Sequence, residues 1–227
     1  MKPYQEIPIR ECNESLVAIP LDRFTFVTPH PYQSLGAPYG DYSPYFLREG
    51  VLQKLLQAQL ALSTQRPGWH LQIFDAYRSI AVQQFMVDYT FNQLARSEEL
   101  TEATRSLIQS KVLQFWAVPS PDPKTPPPHS TGSAIDLTLT DAANESVDMG
   151  SPIDEISQRS HPNYFANSQD QAQQKAHSHR CLLAEVMASA GFRQHPNEWW
   201  HFSVGDQLWA WQAGKGAIAR YGKARVE

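Results

Sequence analysis

Two short segments, far apart along the chain, place ionisable side chains inside runs that otherwise suit the interior of a sheet. The first is HSTGSAIDL (129–137) and the second is EWWHF (198–202). Aromatic and branched aliphatic residues favour buried strands, which need neither a carboxylate nor an imidazole. A fold of this chain must give these polar groups partners, because a buried charge without a partner is costly.

The alternation of side chains predicts where the acid of the first segment points. In a strand over 133–140, alternate residues face opposite sides of the sheet. One face is apolar and is formed by Ile135, Leu137 and Leu139. Asp136 therefore lies on the opposite face, away from the main core. His129 precedes Gly132 in a loop that can fold back toward that face.

The second segment predicts a similar arrangement in a final strand over 199–204. One side of this strand carries Trp199, His201 and Ser203. Glu198 stands at the entrance of the strand, one residue out of phase with His201. The carboxylate can therefore lie beside a group bound by His201 without being part of it.

Two histidines and one carboxylate form a ligand set typical of catalytic zinc sites, with a fourth position left for water. The candidate ligands are His129, Asp136 and His201. Zinc lowers the pKa of such a water toward about 7. Glu198 is then the candidate base that takes the proton and passes it to the leaving amine.

A cation is also needed where negative charge develops on the attacked carbonyl oxygen. In the segment DAYRS (75–79), Arg78 lies where a predicted strand ends and a helix starts, a common place for site residues. Ordinary interpretations remain open at this point. A histidine on a strand is usually structural, Asp136 could be a paired acid, and Arg78 could pair with Asp75 or Asp88.

The other elements favour an α+β fold, because helices and short strands mix without a regular βαβ rhythm. Helices are predicted at 46–65, at 80–95 after the capping residue Ser79, at 98–115, and at 169–192 with Gly191 as the C-terminal cap. A further strand is predicted at 70–77. The proline-rich segment 118–128 predicts a stiff loop that leads to His129.

Composition limits the kinds of partner. The formal net charge is -4 and no cluster of Lys or Arg forms a basic stripe, which argues against nucleic acid as a partner. No apolar run reaches the roughly 18 residues of a membrane span, and no partner membrane is expected. The first residues show no signal-peptide pattern, so a cytoplasmic location is expected, with a periplasmic or exported protein as the alternative. Cys12 and Cys181 are too few for a cysteine zinc site.

The two segments together resemble the zinc D-alanyl-D-alanine dipeptidases of the vancomycin-resistance type, which are related to zinc D,D-carboxypeptidases and peptidoglycan endopeptidases. The family pattern is a His, a Gly three residues later, an Asp seven after the His, and a distant Glu-x-Trp-His. It falls on His129, Gly132, Asp136, Glu198, Trp200 and His201. The resemblance implies one Zn²⁺ per chain and a single peptidase domain over 1–227. The expected fold has a small, mainly antiparallel central sheet flanked by helices, with the zinc site on the sheet.

The resemblance also assigns roles outside these segments. DAYRS makes Arg78 the counterpart of the arginine that polarises the substrate carbonyl. MGSPID (149–154) and QRSH (158–161) resemble the dipeptidase branch, in which the acid of the first segment helps to hold the ammonium of the substrate. Asp154 is that candidate.

Apart from the resemblance, the tyrosine-rich loop 27–45 is a candidate for part of the pocket roof, through Tyr32, Tyr39, Tyr42 and Tyr45.

One position departs from the family pattern. The family usually has Ser two residues before the first zinc histidine, whereas this chain has Pro127. A proline removes a backbone N–H and a hydroxyl, so a substrate carboxylate that used either group would have to be bound differently here.

The resulting hypothesis is zinc-dependent hydrolysis of the small dipeptide D-Ala-D-Ala to D-alanine, in peptidoglycan and cell-wall metabolism. One alternative is a D,D-carboxypeptidase or endopeptidase that acts on peptidoglycan stem peptides. The other is a non-catalytic, zinc-stabilised binding module. Retention of both Glu198 and Arg78 favours an enzyme, because a protein that only binds needs neither.

Overall fold

The computed structural model describes residues 2–40 and 43–225. Its strands are β1 (Leu16–Ala18), β2 (Thr25–Phe26), β3 (Phe46–Arg48), β4 (His70–Asp75), β5 (Ala134–Thr140), β6 (Arg193–Gln194) and β7 (His201–Ser203). Its α-helices are α1 (Pro31–Ser34), α2 (Glu49–Gln65), α3 (Ile80–Ala95), α4 (Glu102–Phe115), α5 (Gln171–Ser189) and α6 (Gln207–Ala213). Short 3₁₀ turns lie at Pro3–Glu6, Pro128–Thr131 and Gln158–Ser160.

The central sheet has five strands in the order β2-β4-β5-β7-β6. All neighbouring pairs are antiparallel except β2 and β4, which are parallel. The expected α+β class with a mainly antiparallel sheet is therefore confirmed. The pairing of β5 with β7 sets Asp136 opposite His201, and a bulge in β4 sets Asp75 opposite Asp136. Three ionisable side chains are thus brought together near the middle of the sheet.

Strand β5 is the centre of the core. As predicted, Ile135, Leu137 and Leu139 are fully buried and belong to the main apolar cluster, together with residues of α2 and α5. Burial of each such side chain contributes about 1.5–3 kcal/mol. The second face of β5 is buried as well, including Asp136. The metal-ligand candidates therefore lie between two covered layers and away from open solvent.

The predicted starts of two helices were wrong, and α5 (Gln171–Ser189) is shorter at both ends than the predicted 169–192. Helix α2 begins at Glu49 and not at residue 46, because Phe46–Arg48 pair with Leu16–Ala18 as a second, two-stranded sheet. Such a pairing across the chain is not visible in a helical apolar spacing. Helix α4 begins at Glu102 and not at residue 98. Its first turn is capped by the side chain of Thr101, which accepts a hydrogen bond from Thr104 N.

The caps of α3 and α5 agree with the prediction. The Ser79 hydroxyl accepts from Val82 N at 3.2 Å, and Gly191 follows the end of α5 with φ of +90°. In the part of the chain that the structure describes, no helix combines the length and the apolar character needed to cross a membrane.

The proline-rich segment forms neither helix nor strand up to Pro128, as predicted. It ends in the turn Pro128–Thr131, and Gly132 then directs the chain into β5 with φ of +70°. A side chain at Gly132 would meet the Leu16 side chain, since a Cβ placed there would lie 2.3 Å from Leu16 Cδ2. This tight connection fixes His129 just ahead of the strand that carries Asp136.

Candidate metal centre

The three predicted ligands converge in the structure. His129 Nε2 lies 3.1 Å from His201 Nδ1 and 3.3 Å from Asp136 Oδ2, and His201 Nδ1 lies 3.0 Å from Asp136 Oδ1. All three side chains are buried. They come from the turn before β5, from β5 and from β7, so the pairing of two strands creates the cluster.

The donor set suits a divalent cation. Zinc binds imidazole nitrogen and carboxylate oxygen at about 2.0–2.2 Å, which places tetrahedral ligand atoms about 3.3 Å apart. The observed separations of 3.0–3.3 Å are close to that value. His129 Nδ1 lies 2.6 Å from Ala76 O, so this nitrogen donates to the carbonyl, and Nε2 faces the cluster, where it would offer its lone pair to a bound ion.

Asp136 is held as a carboxylate. Burial by itself would raise the pKa of Asp136, but the charge of His129 and hydrogen bonds from His129 and His201 outweigh burial and hold that pKa well below its usual range. An ionised oxygen is the form that ligates a cation. The three residues can therefore hold a metal ion.

Glu198 lies beside this cluster without joining it. Its Oε2 is 3.9 Å from His201 Nδ1, and its Oε1 is 3.7 Å from His195 Nδ1. Burial, followed by the negative charge of Asp136, raises the pKa of Glu198 well above the usual value. A cation held by the ligands would counteract this shift. Glu198 thus lies next to the ligand group and outside it, as expected, but the predicted strand over 199–204 was wrong at its start, because β7 begins only at His201. Trp200, and not Trp199, lines the cavity beside His201.

Arg78 borders the ligands from the end of β4. Its Nη2 donates to Asp136 Oδ2 at 2.6 Å and lies 3.3 Å from His129 Nε2. Its Nε donates to Asp75 Oδ2 at 2.6 Å. Arg78 therefore forms the ion pair with Asp75 that was the alternative interpretation, and it also contacts the ligand cluster through Asp136. Asp88 instead accepts from Gln84.

Asp75 was considered from the sequence only as a partner of Arg78, and its position was missed. Its side chain is fully buried, and its Oδ1 lies 2.8 Å from Tyr39 OH and 3.2 Å from His30 Nε2. These contacts hold the carboxylate that orients Arg78. An acid three residues before Arg78 is a weak signal in the sequence. The residues that hold Asp75, Tyr39 and His30, lie in a distant loop, so the sequence around Asp75 does not reveal them.

Asp154 lies at the same cavity. Tyr32 OH donates to Asp154 Oδ2 at 2.7 Å, and the backbone of Asp154 has φ of +64°. Burial, followed by the charge of Asp136, raises the pKa of Asp154 to about 7. Tyr32 thus contacts a candidate site residue, and Tyr39 contacts Asp75. Tyr32, Tyr39 and Tyr45 are not among the residues that line the cavity, so the expectation that they form its roof was wrong, and Tyr42 falls outside the described residues.

Arg180, on α5, positions the segment that contains Asp154 and was not noticed in the sequence. Its guanidinium is buried and donates to Met149 O at 2.7 Å and to Ser151 Oγ at 2.9 Å. The guanidinium carbon lies 5.3 Å from the centroid of the Trp199 ring. An arginine within a polar helix gives no sequence signal for such a role.

The cavity next to the cluster has aromatic and apolar residues as well as charged and polar groups in its lining. Residues lining it that were not predicted as its walls include Lys2, Tyr4, Phe115, Trp116, His195 and Leu208. Trp200 also lines it. Such a lining excludes water and strengthens the electrostatic interactions inside.

The chain is similar over most of its length to known peptidases. The Peptidase M15 family model, described as D-ala-D-ala dipeptidase, matches residues 26–216. The D-alanyl-D-alanine dipeptidase of Synechocystis sp. is 50% identical over 223 residues, covering 93% of this chain and 90% of the relative. The D-alanyl-D-alanine dipeptidase of Enterococcus faecium is 33% identical over 161 residues, covering 69% and 72%.

Solved structures give weaker similarities. VanYB in complex with D-Alanine-D-Alanine matches with a TM-score of 0.47 and 15% identity, covering 70% of this chain and 71% of that chain. The LdcB LD-carboxypeptidase matches with a TM-score of 0.45 and 15% identity, covering 86% and 69%.

Proposed function

The chain belongs to the Peptidase M15 family of D-Ala-D-Ala dipeptidases, and from this premise we propose that it hydrolyses D-Ala-D-Ala to two molecules of D-alanine with one zinc ion per chain. The ion is held by His129, Asp136 and His201. The observation that carries the proposal is the convergence of these three ligand atoms, within 4.8 Å of one another, with Glu198 at their side. Family membership makes the chain a peptidase, and this geometry supports a metallopeptidase.

The zinc ion and the residues around it have different roles in the hydrolysis. When bound, zinc polarises a carbonyl and brings the pKa of a water close to about 7. Glu198 accepts the proton of the attacking water and delivers it to the leaving amine, a role that suits a carboxyl whose pKa is raised by burial. Arg78, bordering the ligands, stabilises the negative charge that develops on the carbonyl oxygen.

Asp154 binds the ammonium of the dipeptide. Its carboxyl group faces the cavity that also contains Arg78 and Glu198, and Tyr32 holds its Oδ2. A carboxylate there pairs with a free N-terminus and has no partner in an acylated one. The site thereby favours a free dipeptide over the end of a stem peptide.

The purified protein, loaded with zinc, is expected to release D-alanine from D-Ala-D-Ala and to lose this activity when a chelator removes the metal. Release is measured as new primary amine. L-Ala-L-Ala and an N-acylated tripeptide ending in D-Ala-D-Ala are the comparison substrates. No amine release with zinc present would rule the proposal out, and faster cleavage of the tripeptide would favour the D,D-carboxypeptidase alternative.

Asp154→Asn tests the ammonium site. Asparagine keeps the acceptor for Tyr32 OH and tolerates a positive φ, so the change removes mainly the charge. A hydrogen bond to a charged group contributes about 1.5–3 kcal/mol, so kcat/KM for D-Ala-D-Ala is expected to fall about 10–100-fold. Asp22→Asn, at an exposed position, is the matched control. An unchanged kcat/KM would remove Asp154 from the site.

A further inference from the structure

The N-terminal segment forms one wall of the cavity. Its turn Pro3–Glu6 brings Lys2 and Tyr4 to the lining, next to Glu198 and Leu208. Tyr4 is buried, with 8% of its surface exposed. The family model begins only at residue 26, so this wall lies outside the matched region.

The segment is fastened in place. Gln207, at the start of α6, donates from Nε2 to Ile7 O at 2.7 Å and to Gln5 O at 3.2 Å. The backbone N–H of Lys2 donates to Gln5 Oε1 at 2.9 Å, and Arg10 N–H donates to Ala219 O at 2.8 Å. Hydrogen bonds from Gln207 and to Ala219, both near the C-terminus, thus fix the turn that brings Lys2 to the cavity.

The charges of the cavity leave one cation without a partner. Of the described residues that line it, Lys2 and Arg78 are the lysine and the arginine. Arg78 is engaged by Asp75 and Asp136. The ammonium of Lys2 has no ion pair or hydrogen bond to any described residue, although burial lowers its pKa and the charge of Glu198 opposes that shift. A partly buried cation without a partner is stabilised by an incoming anion.

The location of Lys2 matches the end of the substrate that needs an anion site. In a dipeptide with free termini, the carboxylate belongs to the leaving residue, two bonds from the amine nitrogen that receives the proton of Glu198. The charge of Lys2 affects the pKa of Glu198 more than the charge of Asp154 does, and after burial the pKa of Asp154 responds first to Asp136 and Arg78. Lys2 and Asp154 both line the cavity, so each charged end of the substrate can meet an opposite charge there.

We infer that Lys2 binds the α-carboxylate of the leaving residue and so restricts the enzyme to dipeptides with a free C-terminus. This inference rests on the proposed function. It also supplies a partner for the carboxylate in a chain where Pro127, two residues before His129, offers no N–H and no hydroxyl. Lys2 would act on binding and selectivity, while Glu198 and the ligands perform the hydrolysis.

The test compares Lys2→Met, which removes the charge at similar length, with Lys2→Arg, which keeps it. Lys175→Met, at an exposed position of α5, is the matched control, and any purification tag is placed at the C-terminus. Each variant is assayed on D-Ala-D-Ala and on its C-terminal amide. Lys2→Met is expected to lower kcat/KM for the acid about 10–100-fold, mainly through KM, and to change that for the amide less than about twofold. Lys2→Arg should restore most of the preference for the acid.

A second readout does not need turnover. In a Glu198→Gln background with zinc bound, calorimetry is expected to show that Lys2→Met weakens the binding of D-Ala-D-Ala by the same factor and leaves the binding of the amide unchanged. Equal losses on the acid and the amide would show that Lys2 acts through Glu198 or through the fold, and would overturn the inference. An unchanged affinity would overturn it as well. Failure of the wild-type protein to cleave D-Ala-D-Ala would instead overturn the proposed function, and this assignment with it.

Discussion

Glu198→Gln is expected to lower kcat for D-Ala-D-Ala by about 10³-fold or more while zinc stays bound. Glutamine keeps the volume and the hydrogen-bonding reach of the side chain but cannot accept and return a proton, and general acid–base catalysis contributes about 10²–10⁴-fold. Zinc retention follows from the geometry, since Glu198 Oε2 lies 3.9 Å from His201 Nδ1 and outside the ligand cluster. Amine release and zinc content per chain are the two measurements.

The matched control for this change is Glu99→Gln, at an exposed position before α4. Its turnover and its zinc content should both equal those of the wild-type protein. Turnover of Glu198→Gln within about tenfold of wild type would contradict the role of Glu198 as base. Loss of zinc would show that Glu198 is a ligand. A wild-type protein that binds zinc but has no turnover to lose would support the binding-module alternative.

His201→Gln is expected to abolish both zinc binding and hydrolysis. Loss of an outer-shell partner of a metal ligand costs about 10–100-fold in affinity, so loss of a ligand itself should cost more than about 100-fold. Zinc that binds only the folded protein also raises its melting temperature. We therefore expect zinc to raise the melting temperature of the wild-type protein and to leave that of His201→Gln unchanged, as measured by calorimetry.

His161→Gln is the control for this experiment, because His161 is exposed and stands outside the ligand cluster. It should retain the zinc-dependent rise in melting temperature and the hydrolysis of D-Ala-D-Ala. A His201→Gln protein that still gained thermal stability from zinc would mean that the ion binds at other residues. Because His201 is buried, the melting temperature of the metal-free variant also shows whether the substitution disturbs the fold itself.

The predictable part of this site came from short-range rules. A strand repeats every two residues, so the apolar positions Ile135, Leu137 and Leu139 were enough to predict that Asp136 faces the other side of the sheet. Side-chain hydroxyls before apolar helical runs predicted the cap at Ser79, which the hydrogen bond to Val82 N confirms.

The parts that were missed depend on contacts between distant segments. Residues 46–48 have a helical apolar spacing, and only their pairing with residues 16–18 makes them a strand. Asp75 is held by a tyrosine and a histidine of another loop, and Lys2 reaches the cavity because α6 holds its segment. Each of these contacts joins residues that are far apart in the chain, so neither the periodicity nor the composition of the sequence could predict that they meet.

The most direct measurement of the central claim is an anomalous-diffraction map of crystals of the zinc-loaded protein. The account predicts one zinc peak per chain, at about 2.0–2.2 Å from His129 Nε2, from His201 Nδ1 and from a carboxylate oxygen of Asp136. Glu198 should lie outside bonding distance of that peak. A zinc peak elsewhere in the chain, or one within reach of only one of the two imidazoles, would contradict the account.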